Sequence, residues 1–259
     1  MTDVREVAAD MRAEQGALDA VVAGLTDDQW RLATPSPGWS VADQIGHLTF
    51  FDGAAATAIA DPAGFADQVA QLVSAEDRDG LTLHRHLSPP ALLAAWRANR
   101  RRLAEAAATL EDDTRVAWYG PSMGAKSFLT ARLMECWAHG QDVVDALGVE
   151  RPATDRLRHV ARLGVITRGW SYANRGLEPP PGEVRVELAG PGGARWCFGP
   201  DDAAGVVAGS ALDFCLVVTQ RRHVDDTALR VTGEIARDWL ERAQAFAGPA
   251  TDGPAPRSA

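Results

Sequence analysis

Glu135 and His139 stand four residues apart in the stretch SFLTARLMECWAHGQDVVDAL, residues 127–147. Residues four apart on a helix share a face, with Cβ atoms about 5–6 Å apart, so a carboxylate and an imidazole there can grip one ion. The pair alone is a weak signal, because any long amphipathic helix can carry one by chance. A second marked stretch, TPSPGWSVADQIGHL at residues 34–48, brings His47. Two histidines and one carboxylate make the ligand set of an open catalytic zinc site, with a fourth position left for water or substrate. The same set can hold Fe(II) or Ni(II).

Each of the three also has a plain reading. His47 can be a hydrogen-bonded core histidine, Glu135 can pair with Arg132 on a solvated face, and His139 can be a surface histidine. Met134, Cys136, Trp137, Val143 and Leu147 nevertheless give the helix apolar surroundings on most sides. An unpaired carboxylate buried there would be costly, and a metal removes that cost. Asp43, one turn before His47, and Asp142, three residues after His139, are placed to hold the second nitrogen of a ligating imidazole. Asp43 also suits a capping box with Ser40. Asp142 is the one candidate general base near the site. His84, His86, His159 and His223 read as loop or solvated histidines, and no P-loop or dinucleotide glycine pattern is present.

The elements that must position these residues follow from periodicity and punctuation. Apolar spacing predicts a helix over residues 3–23, and Thr26 starts a short turn through Trp30. Ser40 caps a second long helix over 41–59, with Ile45, Leu48 and one of Phe50 and Phe51 inward. Residues 61–87 read as a loop with a short helix. Ser88-Pro89-Pro90 opens a third long helix, and Trp118-Tyr119-Gly120-Pro121 turns into the fourth, which Gly148 closes. These four predict an all-helical bundle over residues 1–150.

A helix over 154–174 and its linker make a connection, residues 151–178, that ends at the proline run 179–181. Beyond it alternating apolar residues predict strands at 184–188 and 194–198, a helix from about 202 to 222, a strand near 229–231 and a helix over 234–246. Residues 179–247 thus form a small α/β domain, and residues 248–259 a disordered tail. The fold class is α+β.

The 259 residues carry a formal charge of −9, which argues against a nucleic-acid or anionic-membrane partner. No apolar run approaches the ~20 residues that span a bilayer. The N-terminus is charged and helical rather than a signal peptide, and three cysteines without a CxxC fit a reducing compartment, so the expected location is cytoplasmic. Cys136, Cys197 and Cys215 each read as a buried small hydrophobe.

The run Pro37-Gly38-Trp39-Ser40-Val41-Ala42-Asp43-Gln44-Ile45-Gly46-His47-Leu48, followed by Arg132-x-x-Glu135-x-x-x-His139-x-x-Asp142, resembles the mycothiol-dependent maleylpyruvate isomerase family. That family belongs to the DinB-like metal-binding four-helix bundles, and the resemblance covers roughly residues 1–150. It implies zinc on His47, Glu135 and His139, with mycothiol as thiol cosubstrate. It also implies a sterol-carrier-like C-terminal domain, which residues 183–247 fit in length and element order. An arginine from that domain would act in catalysis, and Arg221 and Arg222 are the candidates.

The function expected is that of a zinc-dependent isomerase or S-transferase. It would use the low-molecular-weight thiol mycothiol on a small carboxylated substrate. The alternatives are a hydrolase using zinc-activated water and a non-enzymatic metal- or lipid-binding module.

Overall fold

The first helix begins where Asp3 accepts a hydrogen bond from the backbone N–H of Glu6, at 2.8 Å, and it runs Val4–Val22 as α1. The computed structural model describes residues 3–73 and 84–257. Thr26 and Gln29 form a capping box for the single turn α2, Asp27–Trp30. Ser40 and Asp43 form another at the start of α3, Val41–Ala60, each satisfying a backbone N–H of the other. A short helix, α4, occupies Pro62–Val73 within the expected loop, and residues 74–83 lie outside the described residues.

Pro89 and Pro90 take the first turn of α5, Pro89–Ala107, where their missing N–H groups cost nothing. The last long helix, α6, spans Ala125–Leu147 and ends at Gly148, whose φ of 65° suits glycine. Helix α3 packs against α5 and α6, and α1 packs against the same two, which closes a four-helix ring. Leu18, Ile45, Leu48, Trp96 and Val143 lie in its core.

Gly140 matters to that packing. A Cβ there would lie 2.6 Å from Nη1 of Arg151, whose guanidinium crosses the helix to reach Glu14 and the carbonyl of Trp137.

The bundle is not wholly helical. Two-residue strands β1, Arg115–Val116, and β2, Met123–Gly124, pair antiparallel, so the turn expected at 118–121 is the loop of a small hairpin.

The chain divides into two compact units, residues 1–151 and 152–259. The single helix expected over 154–174 is broken into α7, Leu157–Ile166, and α8, Arg168–Ala173. The break falls at Thr167, whose hydroxyl bonds back to the carbonyls of Leu163 and Gly164.

A four-stranded sheet follows, made of β3 (Val184–Ala189), β4 (Arg195–Phe198), β5 (Gly205–Ser210) and β6 (Arg230–Thr232), in the order β4-β3-β5-β6. β3 and β5 run parallel, with Val186 beside Val207. This corrects the helix expected from residue 202. Val206 and Val207 pair along β3, and only at Ser210, which caps Asp213, does α9 (Ala211–Val218) begin. Helix α9 packs on α7 and on β5, while α10, Glu234–Arg242, packs on β5, β6 and α8.

Cys197 is a second correction. It is exposed on β4, because the alternation that turns Trp196 inward turns its neighbour out. The tail beyond residue 248 is not structureless. The carbonyl of Thr251 accepts from Gln220 Nε2 at 2.9 Å, and the N–H of Arg257 donates to Asp226 at 3.0 Å.

Candidate metal centre

His47 projects from α3, and Glu135 and His139 from facing α6. Each of the three offers one ligand atom, and these atoms lie within 4.8 Å of one another. Oε2 of Glu135 faces both imidazoles, 3.1 Å from His139 Nε2 and 3.6 Å from His47 Nε2. Donors held 2.0–2.1 Å from a tetrahedral ion are about 3.3–3.4 Å apart, so these edges suit a zinc-sized cation. Trp39 stacks on His139 with ring planes 15° apart, and Phe51 packs 4.6 Å from His47.

The second nitrogen of His139 is held by a residue that the spacing did not single out. The sequence predicts Asp142 there, but Gln44 Oε1 lies 2.5 Å from His139 Nδ1. Gln44 is oriented in turn, because its amide donates to Thr34 Oγ1 at 2.8 Å and that hydroxyl donates to the carbonyl of Trp39. With the amide oxygen facing it, Nδ1 carries a proton, and Nε2, on the Glu135 side, is the nitrogen that a bound cation would engage. Gln44 stands three residues before His47 on α3, so its shared face was legible, but its partner on α6 was not.

Asp142 is buried and accepts from Ser36 Oγ at 2.9 Å, which ties α6 to the loop before α3. Asp43 does not support His47 either. Its carboxylate is engaged by Ser40 and by Arg85, the latter at 2.8 Å. Nδ1 of His47 is buried and has no hydrogen-bond partner among the described residues. An unpaired imidazole nitrogen, beside a carboxylate facing two further nitrogens, is what a site shaped for a cation would present. The residues therefore fit a divalent ion, and the nitrogen and oxygen donors suit zinc, Fe(II) or Ni(II).

Burial alone would push the Glu135 carboxyl up. The neighbouring ring nitrogens of His139 and His47 and the charge of Arg132 outweigh it and hold the group well below the usual carboxylate range. The solvated pairing considered for Arg132 and Glu135 is not what forms. Arg132 is buried, with its guanidinium 5.3 Å from the centre of the Trp118 ring and 5.6 Å from that of Phe51, and Nη2 lies 4.0 Å from Glu135.

Arg221 and Arg222 sit side by side on the turn after α9, in the second unit. Gln220 turns the chain there with a φ of 58°, and the N–H groups of both arginines donate to the carbonyl of Leu216. Arg221 Nη1 also donates to Thr219 O, and Arg222 Nη1 to Arg221 O.

Fold and site together define an α+β protein whose helical bundle carries two histidines and a carboxylate in metal-binding array. Comparison places it further. The model of the mycothiol maleylpyruvate isomerase N-terminal domain matches residues 11–144, and the chain belongs to that family. Two proteins from separate strains of Mycobacterium tuberculosis, both described as uncharacterized, are 49% identical over 252 residues, covering 96% of this chain and 98% of theirs. Crystal structures of the mycothiol-dependent maleylpyruvate isomerase and of a histidine-to-alanine mutant share the fold. Their TM-scores are 0.58 and 0.59 at 16% identity, over 90% of this chain and 96% of theirs. Among the described residues, no helix is long and apolar enough to cross a membrane.

Proposed function

We propose that this protein is a mycothiol-dependent isomerase acting on a small, carboxylated, unsaturated substrate, with a divalent ion, zinc by preference, held by His47, Glu135 and His139. The observation that carries the reading is the meeting of those three donors around one point, with Glu135 Oε2 turned to both imidazoles. Membership of the isomerase family supports the thiol chemistry. When bound, the ion supplies Lewis acidity that lets a thiol ionise near neutral pH.

The remaining roles belong to the chain. Gln44 keeps the Nε2 lone pair of His139 in the site, and Trp39 and Phe51 limit water beside the imidazoles. Asp142 acts through Ser36 on the loop that carries Trp39. The nucleophile must come from outside, because Cys136 is packed in the core and burial holds its thiol well above the ordinary range. The external thiolate adds to the activated double bond, the resulting single bond rotates, and elimination returns the thiol. Arg221 or Arg222 would hold the substrate carboxylate in a two-pronged hydrogen bond.

Cobalt-substituted protein tests this directly. Adding mycothiol should produce a sulfur-to-metal charge-transfer band that persists in Cys136→Ala and disappears with the metal in Glu135→Ala. Absence of any band at millimolar mycothiol would remove the thiol reading and favour hydrolysis or simple metal binding.

A further inference from the structure

A second polar site lies on the helical unit, between α1 and α5. Arg97, Arg100, Arg101 and Ala104 recur at helical spacing on α5, and Arg12, Gln15 and Asp19 do so on α1. Together they line a groove of about 330 Å³, within the size range of small-molecule sites. Arginines three and four apart on one helix repel each other and weaken it, so helix stability does not explain the run.

Asp19 is the single carboxylate lining the groove among the described residues, and it is engaged by two arginines. It accepts from Arg97 Nε at 2.9 Å and Nη2 at 2.5 Å, and from Arg100 Nη1 at 2.6 Å. Arg100 is further fixed by stacking 4.6 Å from the Trp96 ring centre, and its Nε is buried with no hydrogen-bond partner among the described residues. Arg12 and Arg101 are exposed and have no acidic partner among the described residues. Four guanidinium groups and one carboxylate thus line the groove, two of the four without an acidic partner among the described residues, on a chain whose net charge is −9.

We propose that this groove binds a small phosphate- or pyrophosphate-bearing ligand. Arg97 and Arg100 are held in place before binding, which lowers the ordering cost of recognition. The planar fork of arginine matches phosphate oxygens in pairs, and a multiply charged oxyanion offsets the excess positive charge better than a monocarboxylate does. A long polyanion is disfavoured, since it would run beyond the groove across a chain of net negative charge, whereas a compact anion meets only the local field. The site is independent of the proposed thiol chemistry.

The test is calorimetric titration of the full-length protein with inorganic pyrophosphate, at ionic strength held constant with chloride, alongside the Arg12→Gln/Arg101→Gln double variant. Saturable one-site binding is expected, weakened by about tenfold or more in the variant, with metal content and circular dichroism unchanged. No saturable binding by the wild-type chain, or equal affinity in the variant, would overturn the proposal. So would cosedimentation with phosphatidylglycerol vesicles in the absence of pyrophosphate binding, because the anion recognised would then be a membrane surface.

Discussion

The metal centre and the arginine groove are built to one plan with opposite outcomes. In each, a carboxylate between two helices faces two nitrogen-bearing side chains: Glu135 with His47 and His139, Asp19 with Arg97 and Arg100. Side-chain exposure does not separate them, since the two carboxylates are 16% and 19% exposed. The nitrogens do. An imidazole can be neutral and offer a lone pair, whereas a guanidinium is always protonated and only donates. The first cluster can therefore turn lone pairs to a cation, and the second has positive charge to spare.

Asp52 completes the series. It is fully buried and, among the described residues, bonded only by the neutral donors Gln15 Nε2, at 3.0 Å, and Trp96 Nε1, at 3.1 Å. Burial outweighs those bonds and the charges of Arg132 and Arg100, and pushes its carboxyl up to about 6. Of these three carboxylates, the two touched by cationic or ionisable nitrogens keep their charge, and Asp52, touched by neither, gives it up more readily.

The comparison can be broken most decisively at the metal centre. His139→Ala should fall from about one divalent ion per chain to nearly none while the helical circular dichroism persists, as read by elemental analysis. Retention of the ion would show that the donor set has been misassigned.

The next effect concerns pH. Glu135 and Asp19 have lowered carboxyl values in the fold, so their contribution to stability is lost as pH falls. Asp52 has the opposite sign. Its protonated form is favoured by folding, so its contribution is lost as pH rises from about 3.8 to about 6. The loss amounts to at most about 3 kcal/mol. Urea unfolding of Asp52→Asn across that range should lack this component, and an unchanged pH profile would contradict the assignment.

Gln44→Ala should weaken metal affinity by about 10- to 100-fold, because His139 loses the group that fixes its tautomer. A competition titration with a chelator measures this, and unaltered affinity would mean that the Gln44 contact does not orient the ligand. The smallest effect should come from Ser36→Ala, at about 1 kcal/mol in chemical denaturation. A much larger loss would mean that Asp142 depends on Ser36 for more than one hydrogen bond.

Much of the helical unit is local in origin and could be read from the chain. Thr26, Ser40 with Asp43, the Pro89-Pro90 start and Gly148 each act within a turn of their own position, so type and spacing settle them. Glu135 and His139 share a face for the same reason. The second unit was less legible, because β5 is a strand through its pairing with β3 some twenty residues away. Three of the groove's arginines stand on α5, but only α1 packed beside them shows that, with Arg12, four line a groove holding one acid.

What the sequence determined alone is therefore the set of elements whose causes lie within one turn, and the face on which each reactive side chain stands. Tertiary structure decided which residue completes each site. Gln44 reaches Nδ1 of His139, Asp43 turns to Arg85, and Arg132 goes under Trp118 rather than into solvent. The physical reason is reach. Capping and helical periodicity act over three or four residues of one chain segment, while hydrogen bonds, charge balance and burial depend on whichever helix packs opposite.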